Sequence, residues 1–365
     1  MNRRKFIVAS SLLATTTAFS QIIPIKDSLK SETTINPLNI KSNEDKLPTV
    51  KTLENNKPFY PNSLMLGSKV AIVSPSSITN TWELSRTLKY FKNLGLEVEL
   101  GKTITKQTNK YGYLAAPDEE RADEFNSFLQ RDDIDAIIAS RGGYGAIRII
   151  DKIDFEVLKT KPKILLGFSD FTLILNAASK ISNIVTFHGP VGISSFTNFT
   201  RDYFQKLLYN SNNQPVVIKN DDIQILNEGV AQGKLVGGNL TMLTSCLGSP
   251  YEIETDGAIL FIEDTNEQSY QVDRMLSQLR IAGKFKNLKG IILGEFANLR
   301  KKRPFYPNYS NTMMEVFEQI LKPLKVPIVI NFPIGHISDQ VTLPILSEAS
   351  LDTSKKTLTI FKGVS

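Results

Sequence analysis

The chain of 365 residues contains one cysteine, two histidines and one tryptophan. One cysteine excludes a disulfide within the chain. No Cys-x-x-Cys or His-x-x-x-His pair occurs, so the usual zinc spacings are absent and neither a metal nor another cofactor is expected. With two imidazoles, any general-base role for histidine falls to His188 or His336. Apolar runs are short after the N-terminus, and none reaches the ~20 residues of a membrane span. Charge of one sign is not in large excess: Lys plus Arg is 43 and Asp plus Glu is 37, a formal +6. No long basic cluster interleaved with aromatics accompanies it, so nucleic acid is not an expected partner. The hydrophobic share of 41% and charged share of 22% describe an ordinary globular protein with enough chain for a sizeable core. The length suggests two domains.

Three of the cations stand together at the start. MNRRKFIVASSLLATTTAFS has a basic opening (Arg3, Arg4, Lys5), an apolar stretch from Phe6 to Phe19, and Ala18 and Ser20 in the small-x-small arrangement of a cleavage site. This is the anatomy of an export signal, and the Arg-Arg-Lys-Phe-Ile run resembles a twin-arginine signal. An uncleaved anchor is the competing reading. Cleavage after Ser20 leaves 40 cations against 37 anions. Residues 1–20 are therefore expected to be a signal, with an exported, periplasmic chain and no stable membrane insertion after cleavage. Residues 21–66, rich in Ser, Thr, Asn, Lys and Pro, read as a polar spacer.

From Lys69 onward, strand and helix patterns alternate. Lys69–Val73, Leu96–Leu100, Ile134–Ala139, Ile164–Gly167 and Ile184–Phe187 read as short buried strands. Leu84, Leu88 and Phe91, then Ala122, Phe125, Phe128 and Leu129, mark amphipathic helices. The charged run Asp118–Arg121 reads as a solvated helix start. The alternation predicts an α/β domain over 67–200, a mostly parallel sheet with helices on both faces. Residues 198–228 look polar and irregular, and the domain junction, a linker over 201–228, is placed there. The second domain, 229–365, has a Gly-Gly-Asn turn at Gly237–Asn239. Its strands are expected at Ala258–Ile262, Gly290–Leu293, Val326–Ile330, Val341–Leu343 and Thr357–Ile360. More strands than helices predict a mixed α+β or small-barrel unit.

Ligands of parallel sheets bind beyond the carboxyl ends of the strands. Ser169, in Gly167-Phe168-Ser169-Asp170, stands in a tight strand-to-helix turn. Such a turn lifts a hydroxyl out of the sheet and aims helix N–H groups at an oxyanion. A helix-capping serine has the same local sequence. Arg141-Gly142-Gly143-Tyr144-Gly145 could bring backbone donors close to a substrate, or be an ordinary turn. It is neither a phosphate-binding loop nor a dinucleotide fingerprint. His336 lies in a loop after a strand, and His188 precedes Gly-Pro. Glu263 closes an apolar strand, where an acid could orient an imidazole or merely cap a helix. Cys246 stands among apolar neighbours and is expected to be a small buried hydrophobe.

Several segments, in order, resemble the LD-carboxypeptidases, serine peptidases that include muramoyl-tetrapeptide carboxypeptidases and microcin-immunity hydrolases. They are VAIVSPSS, ASRGGYGAIRIIDKIDF, LLGFSDFT, TFHGP, GKLVGGNLTML, LFIEDTNEQSYQVDRMLSQL, GIILGEF and FPIGH…VTLPI, from about Lys69 to Phe361. The resemblance implies a flavodoxin-like (amidotransferase-like) N-terminal domain and a barrel-like C-terminal one, commonly as a homodimer. It implies a Ser169–His336–Glu263 triad, which selects His336 over His188. It also implies oxyanion donors at Asp170 and at Gly142 or Gly143. The implied reaction is hydrolysis of the bond before the terminal D-alanine of a peptidoglycan tetrapeptide. Arg141, Arg148 and Tyr144 are candidates for substrate contact. Two alternatives stand beside this: cleavage of a peptide–nucleotide amide, and a non-catalytic exported protein that binds wall peptides.

Overall fold

Parallel strands buried on both faces should be continuously apolar, and the first sheet is built from such runs. The computed structural model describes residues 57–106, 112–210, 214–297 and 312–365. The expected export signal (1–20) and most of the expected spacer lie outside these residues. No helix among the described residues is long and apolar enough to cross a membrane.

The first strands are β1 (Lys69–Val73), β2 (Glu97–Leu100), β3 (Ala136–Ala139), β4 (Ile164–Gly167) and β5 (Thr186–His188). β3 and β4 are buried at every position. There follow β6 (Val216–Lys219), β7 (Gln224–Asn227), β8 (Val230–Asn239), β9 (Ile259–Thr265), β10 (Gly290–Ala297) and β11 (Ile328–Ile330). The last three are β12 (Leu343–Ile345), β13 (Glu348–Asp352) and β14 (Thr357–Ile360). One sheet has six strands in the order β12-β5-β4-β3-β1-β2, all parallel except β12. The other has eight in the order β6-β14-β13-β8-β9-β10-β11-β7. It is mixed: β8 to β11 run parallel, and its flanking strands antiparallel. The architecture is mixed α/β with two sheets, mostly parallel in the first.

Helices fall where the apolar spacing placed them. Ser85–Asn93 buries Phe91 and Tyr90, and Asp118–Gln130 buries Ala122, Phe125, Phe128 and Leu129. One core cluster carries residues of both sheets, from Ala71 of β1 to Ile360 of β14, and includes Cys246.

Four local readings need correction. The described residues of the stretch 198–228, namely 198–210 and 214–228, are ordered, not irregular. They form a helix over Asn198–Leu208, capped by Thr197 Oγ1 accepting from Thr200 N–H, and then β6 and β7. The Gly-Gly-Asn segment is the end of ten-residue β8 rather than a turn, and Asn239 caps the next helix. A Cβ at Gly237 would lie 1.8 Å from the Phe261 carbonyl oxygen, so the close pairing of β8 with β9 demands its absence. β12, expected with the second half, crosses back to the edge of the first sheet. There Pro344, which cannot donate to a ladder, is tolerated. Finally, Arg121 is not solvated: it is 1% exposed.

Candidate active site

Ser169 follows β4 and has φ 62°, a left-handed conformation unusual for a side chain with a Cβ. The next residues begin the helix Thr172–Ser182, so the chain reverses over one strained residue and leaves the hydroxyl at the surface end of the strand. Phe171, fully buried, anchors the turn from below.

His336 comes from the loop between β11 and β12. Gly335 has φ +107°, and a Cβ there would lie 2.8 Å from Glu263 Oε2, so only glycine fits. This close approach puts the imidazole against β9. His336 Nδ1 is 2.9 Å from Glu263 Oε2, and Nε2 is 3.1 Å from Ser169 Oγ. Glu263 is fully buried and His336 one-fifth exposed, so the line of hydrogen bonds runs from the interior to the hydroxyl. The Phe168 ring meets the imidazole edge to face, with centroids 4.9 Å apart. Adjacent acids on β9 have separate partners. Asp264 accepts from Asn239 Nδ2 and from Thr241 N–H and Oγ1, tying down the helix that follows β8.

The Arg-Gly-Gly-Tyr-Gly turn after β3 lies directly beside Ser169. A Cβ on Gly142 would be 2.8 Å from Ser169 Oγ and 3.4 Å from the Asp170 nitrogen. Gly143 packs on Ser77, whose Oγ accepts from Tyr144 N–H at 3.1 Å. Asp170 ties the two turns together, its Oδ2 accepting from Ala146 N–H at 2.8 Å. Burial raises the Asp170 carboxyl pKa above the usual carboxylate range.

Arg121 completes this support and was missed in sequence. Its guanidinium donates to the carbonyls of Pro75, Ala116 and Gly145 and to Asp118. A signal was present: position 121 is four before Phe125, on the helix face that packs inward. Arg148 caps the same carboxylate from outside, with Nε and Nη2 on Asp118 at 2.7–3.0 Å. Tyr144 is exposed and stacks edge to face on Tyr113, also exposed, with centroids 5.6 Å apart. His188 does not join the site. It is fully buried between the Phe168 and Phe261 rings, and burial, reinforced by nearby His336, drives its pKa down to about 3.

Two family models match: the LD-carboxypeptidase N-terminal domain over residues 70–189 and the C-terminal domain over 232–351. A probable murein peptide carboxypeptidase of Bacillus subtilis is 35% identical over 315 residues, 84% of this chain and 96% of that protein. The chain belongs to the LD-carboxypeptidase family. It is a serine-type carboxypeptidase, a hydrolase, and the alternative of a non-catalytic binding protein gives way. The LD-carboxypeptidase also resembles the crystal structure of muramoyltetrapeptide carboxypeptidase from Oxalobacter formigenes. That match has a TM-score of 0.69 and 30% identity, covering 82% of this chain and all of the other. The microcin C7 self-immunity protein MccF of Escherichia coli is 26% identical, over 83% of this chain and 96% of its own length.

Proposed function

We propose that this LD-carboxypeptidase hydrolyses the amide joining an L-centre to the terminal D-alanine of peptidoglycan tetrapeptides. Ser169 is the nucleophile, His336 the base and Glu263 the orienting acid. The observation that carries the reading is the line Glu263–His336–Ser169, with contacts of 2.9 and 3.1 Å. Glu263 accepts a hydrogen bond from Nδ1–H, so Nε2 carries the lone pair that takes the Ser169 proton. The alkoxide attacks the amide carbonyl, and the new oxyanion is met by N–H of Asp170 and of Gly142 or Gly143. Each such donor supplies about 3–4 kcal/mol in comparable hydrolases. The C–N bond then breaks and His336 gives its proton to the departing amine. Water, deprotonated by His336, cleaves the ester and restores Ser169. Read as an export signal, the N-terminal pattern supports a reaction outside the cytoplasm, on murein or released muropeptides.

Incubation with muramoyl-tetrapeptide, followed by mass spectrometry, should show loss of one alanine with the wild-type protein and none with Ser169→Ala. Release that survives the substitution would refute the triad. A second substrate class is favoured by one observation: the exposed Tyr113–Tyr144 pair beside the glycine turn offers an aromatic ledge on which a base could stack. A peptide–nucleotide amide assayed in parallel separates the two. Faster cleavage of the nucleotide conjugate would overturn the murein assignment while leaving the chemistry intact.

A further inference from the structure

A carboxypeptidase, which the proposed function takes this chain to be, must distinguish a chain end from an internal bond. Its cue is the terminal carboxylate, which lies on the leaving side of the scissile amide. Arginine suits that anion because its planar fork can donate two parallel hydrogen bonds. Three arginines, Arg121, Arg141 and Arg148, surround the turn that flanks Ser169.

Their partners differ. Arg121 is enclosed and donates to three carbonyls and one carboxylate. Arg148 is committed to Asp118 through two nitrogens. Arg141 is only loosely engaged. Its Nη1 reaches the Ile78 carbonyl at 3.3 Å and stands 3.7 Å from Glu83 Oε1. Among the described residues its Nε and Nη2 have no hydrogen-bond acceptor. The side chain is 35% exposed, so it is reachable from solvent.

Glu83 explains why Arg141 is held yet left unsatisfied. Its Oε2 is spent on the N–H of Asn80, 2.8 Å away, where it closes the capping box of the helical segment Thr81–Leu84. Only Oε1 faces Arg141, too far for a strong pair. The guanidinium is therefore aimed by a carboxylate that does not saturate it. Its backbone adjoins Gly142, and the position of a Cβ on Gly142 is 2.8 Å from Ser169 Oγ. The incompletely paired arginine is thus the chain neighbour of the glycine that meets Ser169.

We infer that Arg141 binds the terminal carboxylate of the substrate and so restricts cleavage to the last residue. It is a binding residue, with no part in proton transfer. Arg148 serves only to hold Asp118.

The test uses the full-length protein and two substrates: muramoyl-tetrapeptide, and the same peptide with its terminal carboxylate replaced by a carboxamide. The wild-type protein should prefer the acid by about 10²-fold in kcat/KM, carried mainly by KM. Arg141→Met should lose that factor on the acid, change little on the amide, and so bring the two rates together. Arg141→Lys should restore part of the preference, and Arg148→Met should leave the ratio at its wild-type value. Because the ratio is taken within one protein preparation, partial unfolding of a variant cancels. Equal losses on both substrates in Arg141→Met, or a wild-type protein indifferent to the amide, would overturn the assignment of Arg141 alone. Failure of the wild-type protein to release alanine from either peptide would overturn the proposed function with it.

Discussion

Gly142 offers the sharpest test of the proposed site, because there a single methyl group meets Ser169, the proposed nucleophile, and little else. An alanine Cβ would lie 2.7 Å from Ser169 Cβ and 2.8 Å from Oγ. Carbon atoms pack at about 3.5–4.0 Å, so roughly 0.8 Å or more must be recovered by movement. Ser169 cannot yield easily, since its φ of 62° is set by the strand-to-helix turn. Either the hydroxyl swings away from His336, or the glycine turn lifts off the Asp170 N–H. On the proposed mechanism the first misplaces the nucleophile and the second withdraws an oxyanion donor, costing about 10²-fold and 10²–10³-fold respectively. Gly142→Ala is therefore expected to lower kcat/KM for alanine release by about 10²–10³-fold, or about 3–4 kcal/mol of barrier. Stability should hardly change. Gly142 is outside the left-handed region, and removing a glycine's freedom from the unfolded chain returns about 0.4–1 kcal/mol. Gly143→Ala provides the contrast: with φ +104° and a Cβ 2.2 Å from Ser77 Oγ, it should lower the melting temperature as well. Steady-state kinetics with thermal melts on both variants decide the matter. A Gly142→Ala protein with more than a third of wild-type kcat/KM would refute the assigned geometry.

Three further outcomes follow from the described contacts. Glu263→Gln keeps the shape but replaces the proposed acceptor of the His336 Nδ1–H bond, so kcat should fall about 10³–10⁴-fold with KM little changed; a loss below tenfold would exclude the orienting role. Arg121→Met leaves Asp118 and three carbonyls without their buried donor and should cost about 3–5 kcal/mol in chemical denaturation. His188, with its pKa lowered to about 3 in the fold, refuses a proton that the unfolded chain takes up below about 6.5. Its contribution to stability is present above pH 6.5, declines as pH falls through the window and is lost near pH 3. By pH 4.5 the stability lost should amount to about 2–3 kcal/mol. His188→Leu should flatten the stability profile between pH 7 and 4.5, measured by denaturant titration; an unchanged slope would refute the buried, neutral assignment.

The first sheet was legible because parallel buried strands are continuous apolar runs, and Lys69–Val73 and Ile164–Gly167 coincide with β1 and β4. The positions of Ser169 and of the glycine turn followed from strand ends. Register across the chain was not legible. Nothing in the period of Val341–Ile345 says which sheet it joins, since the choice depends on packing between distant segments. Polar neighbours also misled: Val216–Lys219 is a short apolar run directly after NSNNQP, and that segment drew the eye from the Tyr203, Phe204, Leu207 and Leu208 stripe of the preceding helix. Arg121 was misread because a charge is assigned to solvent by default, whereas its helical phase pointed inward.

The crossing of β12 has a further consequence. The loop bearing His336 leaves the second sheet at β11 and enters the first sheet at β12, beside the strand that ends in His188. Ser169 follows β4 of the first sheet, and Glu263 lies in β9 of the second. The imidazole is thus suspended like a span between two piers, and its reach in both directions measures how the piers are set. Slippage of one sheet on the other, too small to melt either, would open one of the two hydrogen bonds. Under gradual denaturation, hydrolysis should then fail before the fold does, making the enzyme a gauge of its own internal alignment.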